Sequence, residues 1–122
     1  MERLSLAGLN EAYLFIRSFN ELSDGQKYRY RVARLIDSSA KTWVLDEFTS
    51  ILDRVTARVV AYCLQKASRR VGATVLAATT HAEIIDDLNP DIIVRKGMGP
   101  HVSVEYRKPE PRECSILKQV VI

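Results

Sequence analysis

The sequence predicts an α/β protein, with parallel strands joined by crossover helices and a C-terminal β-hairpin. Three observations carry that expectation. The apolar run Thr42-Trp43-Val44-Leu45 ends in two adjacent carboxylates, Asp46 and Glu47, as a strand buried in a parallel sheet does. Residues 54–70 then place Val55, Val59, Val60, Cys63, Leu64 and Ala67 at helical spacing. A second apolar run, Thr74-Val75-Leu76-Ala77-Ala78, follows at once. A strand-helix-strand unit with so long a crossover implies parallel pairing and a right-handed connection.

Composition bounds the answer without fixing it. The 122 residues suit one domain or part of one, long enough to bury a core. Hydrophobic residues make up 47% and charged residues 27%, a globular rather than a disordered balance. The net charge of +3 is only mildly basic, and no Lys/Arg block with interleaved aromatics supports nucleic-acid binding. Apolar runs fall short of membrane-spanning length and no signal-peptide pattern opens the chain, so a cytoplasmic location is expected. Cys63 and Cys114 form no metal or redox motif, and Cys63 is expected as a buried thiol on an apolar helix face.

Along the chain, residues 3–21 carry Leu4, Leu6, Leu9, Tyr13, Leu14, Phe15, Ile16 and Phe19. A helix from Asn10 to Arg17 is expected there, needing a partner surface for its large apolar side chains. Ser23 and Gln26 have the spacing of a capping box, with Gly25 between them allowing close approach of a backbone or ligand. Lys27 to Ile36 then reads as a helix with Val32, Ala33, Leu35 and Ile36 as its buried stripe. Its N-terminal amides would suit an anion.

The acidic strand comes next, over residues 42–48. Its carboxyl end is the edge at which open α/β sheets bind ligands. One carboxylate there can hold Mg²⁺ and the next can orient an attacking water. Asp53 is the expected N-cap of the helix over 54–70, and Gly72 its C-cap, with Arg69 and Arg70 favourably placed in the last turn. Thr80 and Glu83 have capping-box spacing for a short helix stopped by Asn89-Pro90. His81 then lies at the carboxyl end of the second strand. Residues 91–95 and 101–106 form the hairpin around Gly97-Met98-Gly99-Pro100, with Val102, Val104 and Tyr106 as one buried face of an edge strand. The tail from Ile116 to Ile122 is apolar enough to dock somewhere, with a partner as one such surface.

Four elements in this order resemble the C-terminal half of an ABC-type ATPase cassette. Leu22-Ser23-Asp24-Gly25-Gln26 resembles the signature motif, and Val44-Leu45-Asp46-Glu47 resembles Walker B with its catalytic glutamate. Ser50-Ile51-Leu52-Asp53 resembles the D-loop, and His81 the switch histidine. The resemblance covers roughly residues 10–96 and implies a partial P-loop NTPase core. The wording of Leu22 to Arg34, Asp46 to Arg54 and Ala77 to Leu88 narrows it toward archaeal soluble ABC ATPases linked to acetyltransferase-like domains. Rad50 and SMC proteins share the general architecture.

What the resemblance implies is specific. Asp46 would help hold Mg²⁺, Glu47 would polarise the attacking water, and His81 would contact the γ-phosphate. Ser23, Gly25 and Gln26 would close over a nucleotide held by the opposite subunit, and Asp53 would communicate across the dimer. ATP and Mg²⁺ are the implied cofactors, both in a completed assembly. Two departures stand out. Asp24 replaces the usual small neutral residue, and no G-x-x-x-x-G-K-[ST] occurs among the glycines Gly8, Gly25, Gly72, Gly97 and Gly99. The family's Walker A, adenine-stacking residue and Q-loop glutamine are expected upstream of this segment. Residues 1–106 are therefore expected as a partial nucleotide-binding domain and 107–122 as a tail. The implied partner is a Walker A-bearing half or a homologous subunit, giving an oligomer. A non-catalytic regulatory or dimerisation module, or a Rad50/SMC-like head fragment, are the alternatives.

Overall fold

A computed structural model describes residues 17–107 and 119–121 of the chain. The expected helix from Asn10 to Arg17 lies outside the described residues, except for its last position. After a short 3₁₀ turn at Phe19–Glu21, helix α1 runs over Asp24–Asp37, strand β1 over Thr42–Leu45 and helix α2 over Arg54–Val71. Strand β2 covers Thr74–Ala77, a 3₁₀ turn at Ala82–Ile84 leads into helix α3 at Ile85–Leu88, and strands β3 and β4 cover Ile92–Lys96 and Val102–Tyr106. Strand β5 is Gln119–Val121.

The five strands form one sheet in the order β1-β2-β5-β3-β4. Strands β1 and β2 are parallel, with Trp43 opposite Val75 and Leu45 opposite Ala77. Those four side chains point to one face and are buried, and the core closes over them with Val32 and Ile36 of α1. Ala57, Val60, Ala61, Leu64 and Ala67 of α2, with Ile84 and Leu88, complete that core. Trp43 is wholly buried, its indole N–H donating to the Ala40 carbonyl at 3.0 Å. The polar end of the ring is thus satisfied inside an apolar layer.

The other face of β1 is open. Val44 is 69% exposed, and Thr42 is exposed too. The sequence suggested a strand buried on both sides. The alternation arises because α1 and α2 share one side of β1 among the described residues, leaving the opposite side bare. The hairpin departs in the same way. Strands β3 and β4 pair antiparallel as expected, but Val102, Val104 and Tyr106 are all exposed. β4 is the last strand of the sheet, and its whole length is solvated.

Of the apolar tail, residues 119–121 join the sheet. β5 lies between β2 and β3 and is parallel to both. Cys63 is half-buried rather than fully so, and burial pushes its thiol up from the ordinary range.

Both main helices begin and end as their sequences dictate. Ser23 caps α1 in a full capping box, and Asp53 caps α2 by accepting from the Thr56 N–H at 3.0 Å. Gly72 ends α2 in the left-handed region at φ 67. A side chain there would meet nothing within 4 Å, so the constraint is purely one of backbone conformation. Gly72→Ala should therefore destabilise the fold by about 1 kcal/mol, and Gly72→Asn by less, because Asn tolerates that region. Urea unfolding midpoints of the three proteins check this.

Candidate functional site

The site is built where β1 and β2 end on the same edge of the sheet. The chain leaves β1 at Asp46 and turns through residues 46–52 before α2 begins. The turn is stitched to the end of β2 by backbone bonds. Ala78 N–H donates to the Leu45 carbonyl at 2.9 Å, and Phe48 N–H donates to the Ala78 carbonyl at 2.7 Å. Phe48 itself is fully buried. Its carbonyl accepts two hydroxyls, Thr49 Oγ1 at 2.6 Å and Thr79 Oγ1 at 2.8 Å. Burying that side chain anchors the turn directly after the exposed Asp46 and Glu47.

The turn is conformationally unusual. Glu47 has φ 48 and Thr49 has φ 66. Glutamate in this region is uncommon, and a β-branched residue there is an outlier that must be held by its surroundings. For Thr49 the restraints are visible. Its N–H donates to the Tyr28 hydroxyl at 2.9 Å, its hydroxyl donates to Phe48, and the residue is completely buried. Tyr28 comes from α1, and desolvation of its phenol raises its pKa above the ordinary value. Its ring also meets that of Phe48, with centroids 6.5 Å apart.

Asp46 and Glu47 stand exposed at the head of this turn. One oxygen of Asp46, Oδ1, accepts the Glu47 N–H at 3.0 Å. His81 follows β2, partly buried, with its Nδ1 3.4 Å from Thr49 Oγ1. Its backbone N–H donates to Thr79 Oγ1 at 3.1 Å. The structure therefore brings Asp46, Glu47 and His81 to one edge, with the imidazole tied to the carboxylate-bearing turn through Thr49.

The other expected site residues occupy helix starts. Ser23 Oγ accepts from the Gln26 N–H at 3.3 Å, and Gln26 Oε1 accepts from the Ser23 N–H at 3.0 Å. Both side chains are thus engaged in capping α1. Gly25 sits against the turn's far end, where an added Cβ would lie 3.5 Å from Leu52 Cδ2. Among the described residues, no hydrogen bond links Ser23, Gly25 or Gln26 to Asp46, Glu47 or His81. Asp24, the departure from the signature pattern, is the first residue of α1, where a carboxylate complements the helix dipole.

One expected cap is absent. Thr80 and Glu83 form no capping box, and His81 occupies the N-cap of the 3₁₀ turn without a side-chain bond. Thr79 organises the turn instead, one residue earlier, through its bonds to Phe48 and His81. Glu83 pairs with Arg54 Nε at 3.4 Å.

Three positioning residues escaped the sequence reading: Tyr28, Thr49 and Thr79. Tyr28 was legible, because it precedes Val32 and Leu35 at helical spacing and so extends the buried stripe of α1. Thr49 carried no such signal, since a positive φ at threonine cannot be read from residue type.

Among the described residues no group of three or more His, Cys, Asp or Glu could enclose a metal ion. A Mg²⁺ ion usually takes one or two carboxylates and fills its shell with water and phosphate oxygens. Asp46 fits that role, since only one of its acceptor positions is committed. No glycine-rich phosphate cradle is present to fit the phosphates of a nucleotide.

Fold and site together define a mixed α/β protein whose chemically equipped edge lies at the carboxyl ends of two parallel strands. No family model and no solved structure matches the chain. Among curated proteins, it is 32% identical over 119 residues to the methionine import ATP-binding protein MetN of Helicobacter hepaticus. That alignment covers 92% of this chain and 33% of the relative. Against MetN of Escherichia coli K12 the identity is 38% over 84 residues, covering 69% of this chain and 24% of the relative. The chain thus spans a third or less of the length of these curated relatives. The similarity supports an ABC-ATPase-related segment. It lends no support to the narrower resemblance to archaeal, acetyltransferase-linked ATPases. No helix among the described residues is long and apolar enough to cross a membrane.

The Asp53 cap carries a pH dependence. Hydrogen bonds from Thr56, first its hydroxyl and then its N–H, hold the Asp53 carboxyl below its ordinary value of 3.8. The folded state therefore binds this proton more weakly than the unfolded chain does. The stabilisation is complete above the unfolded value and disappears as pH falls through the folded one. Urea midpoints of the unmutated chain and Asp53→Asn should differ most at about pH 7 and converge as pH falls below the ordinary carboxylate value of 3.8, the asparagine curve lacking this titration.

Proposed function

We propose that this chain is a segment of an ABC-type ATPase cassette, contributing signature and catalytic elements to ATP hydrolysis when a Walker A-bearing segment or partner completes it. In this reading residues 1–106 form the body of the partial nucleotide-binding domain and 107–122 its tail, of which Gln119–Val121 enters the sheet between β2 and β3. The observation that carries the proposal is the strained turn that presents Asp46 and Glu47 and is hydrogen-bonded to the end of the strand leading to His81. Such placement at the carboxyl edge of parallel strands is where open α/β sheets act on ligands. Similarity to the ATP-binding MetN proteins supports it independently.

Each residue then has a physical task. Asp46 holds Mg²⁺ through the acceptor capacity left beside its bond to Glu47 N–H. Glu47 accepts hydrogen bonds from the attacking water, orienting it. His81 meets the γ-phosphate from the neighbouring strand end. Ser23, Gly25 and Gln26 form a helix start whose outward amides favour an anion brought by an opposite subunit. Asp53, at the far end of the same turn, faces that subunit. Bound Mg²⁺-ATP would supply the phosphoryl group and neutralise its charge. The bare face of β1, with Val44 exposed, is a surface that a completing segment would cover. The relatives' names extend the proposal to an import ATPase, and the motif wording to a soluble ATPase.

Two outcomes test this. Alone, the chain should hydrolyse no ATP above background and bind Mg²⁺-ATP only weakly. A micromolar or tighter dissociation constant by calorimetry would contradict that. Mixed with a segment bearing G-x-x-x-x-G-K-[ST], it should gain hydrolysis, and Glu47→Gln should slow turnover at least ~10²-fold while leaving assembly intact. Hydrolysis by that variant at the unmutated rate would instead mark the chain as a non-catalytic dimerisation module.

A further inference from the structure

Two threonine hydroxyls and one carbonyl decide which nitrogen of His81 carries its proton. A hydroxyl has a single hydrogen to give. Thr49 gives its hydrogen to the Phe48 carbonyl at 2.6 Å, and Thr79 gives its own to the same oxygen at 2.8 Å. The oxygen of Thr49 therefore presents only lone pairs to His81 Nδ1, 3.4 Å away. An unprotonated Nδ1 facing those lone pairs would be repelled, whereas an Nδ1–H is attracted and can donate. Neutral imidazole holds one proton, so Nε2 is then the bare acceptor.

We propose that Thr49 is a positioning residue that fixes His81 in the Nδ1–H tautomer. Three restraints keep it in place: complete burial, the Tyr28 hydroxyl accepting its N–H at 2.9 Å, and the turn that imposes φ 66. Because Tyr28 lies on α1, the helix capped by Ser23 reaches the imidazole through a single threonine. The consequence rests on the functional reading above and deepens it. A bare Nε2 cannot donate to a phosphate oxygen, so neutral His81 in this tautomer offers the γ-phosphate site an acceptor rather than a donor.

The tautomer can be read on the chain alone, without nucleotide. His81 and His101 are its two histidines, and His101 is exposed in the hairpin, a built-in reference. In histidine labelled with ¹⁵N, at about pH 9, above the ordinary imidazole range, long-range ¹H–¹⁵N correlation separates protonated from bare ring nitrogens. His81 should show a protonated Nδ1 and a bare Nε2, and His101 mainly the reverse. Thr49→Val removes the hydroxyl at similar volume and should invert the His81 pattern, while Thr49→Ser should restore it. An unmutated His81 protonated mainly at Nε2 would overturn the proposal, as would a Thr49→Val spectrum that keeps Nδ1–H. Should the valine variant not fold, the unmutated spectrum decides by itself. Reconstituted hydrolysis tests the ATPase reading separately, so the failure of one is distinguishable from failure of the other.

Discussion

The backbone of Phe48 is the point on which the rest of this structure depends. Its N–H and its carbonyl both bond to the chain leaving β2, and its ring is buried in the core below. Two strand ends that run parallel have no hairpin to join them. Their only lateral tie beyond the sheet is whatever the following loops supply. Here Phe48 supplies it, so Asp46 and Glu47 just after one strand and His81 beyond the other become parts of one edge. A buried aromatic is worth several kcal/mol when its full surface leaves water, enough to offset the backbone strain carried at Glu47 and Thr49.

From that anchor the remaining parts follow in sequence. The turn ends at Leu52, which packs beside Gly25, so the start of α1 is set against the end of the turn. Tyr28 one helical turn later reaches Thr49, and α1 is thereby fixed to the site by a hydrogen bond as well as by core packing. Asp53 then starts α2, whose left-handed exit at Gly72 returns the chain to β2. The start of α1 and the turn after β1 are thus tied to each other through Tyr28, Thr49 and Leu52.

Much of this was legible in the residues. The capping pair Ser23 and Gln26, the Asp53 cap and the Gly72 exit depend on local chemistry alone, and each forms where its residue types predict. The parallel pairing of β1 with β2 followed from the length of the crossover. Contacts between distant segments were not legible in the same way. Thr80 matched a capping pattern, yet Thr79 does the work because its neighbour in space is the Phe48 carbonyl. Val44, Val102 and Val104 looked like buried positions, since an apolar run reports a tendency to be covered and not whether anything covers it. The place of β5 between β2 and β3 could not be foreseen either, as no periodicity distinguishes a tail strand that enters a sheet from one that binds elsewhere.

Amide hydrogen exchange at Phe48 bears most directly on the claim that one stitched turn makes the site a single unit. Its N–H, bonded to the Ala78 carbonyl at 2.7 Å, should be as protected as the amide of Val60 in the core helix, opening only with the whole fold. The Glu47 amide, bonded to the exposed Asp46 carboxylate, should exchange much faster. If the Phe48 amide instead exchanges as quickly as that of exposed Gly97, the two strand ends are not held together, and Glu47 and His81 do not share a preformed edge.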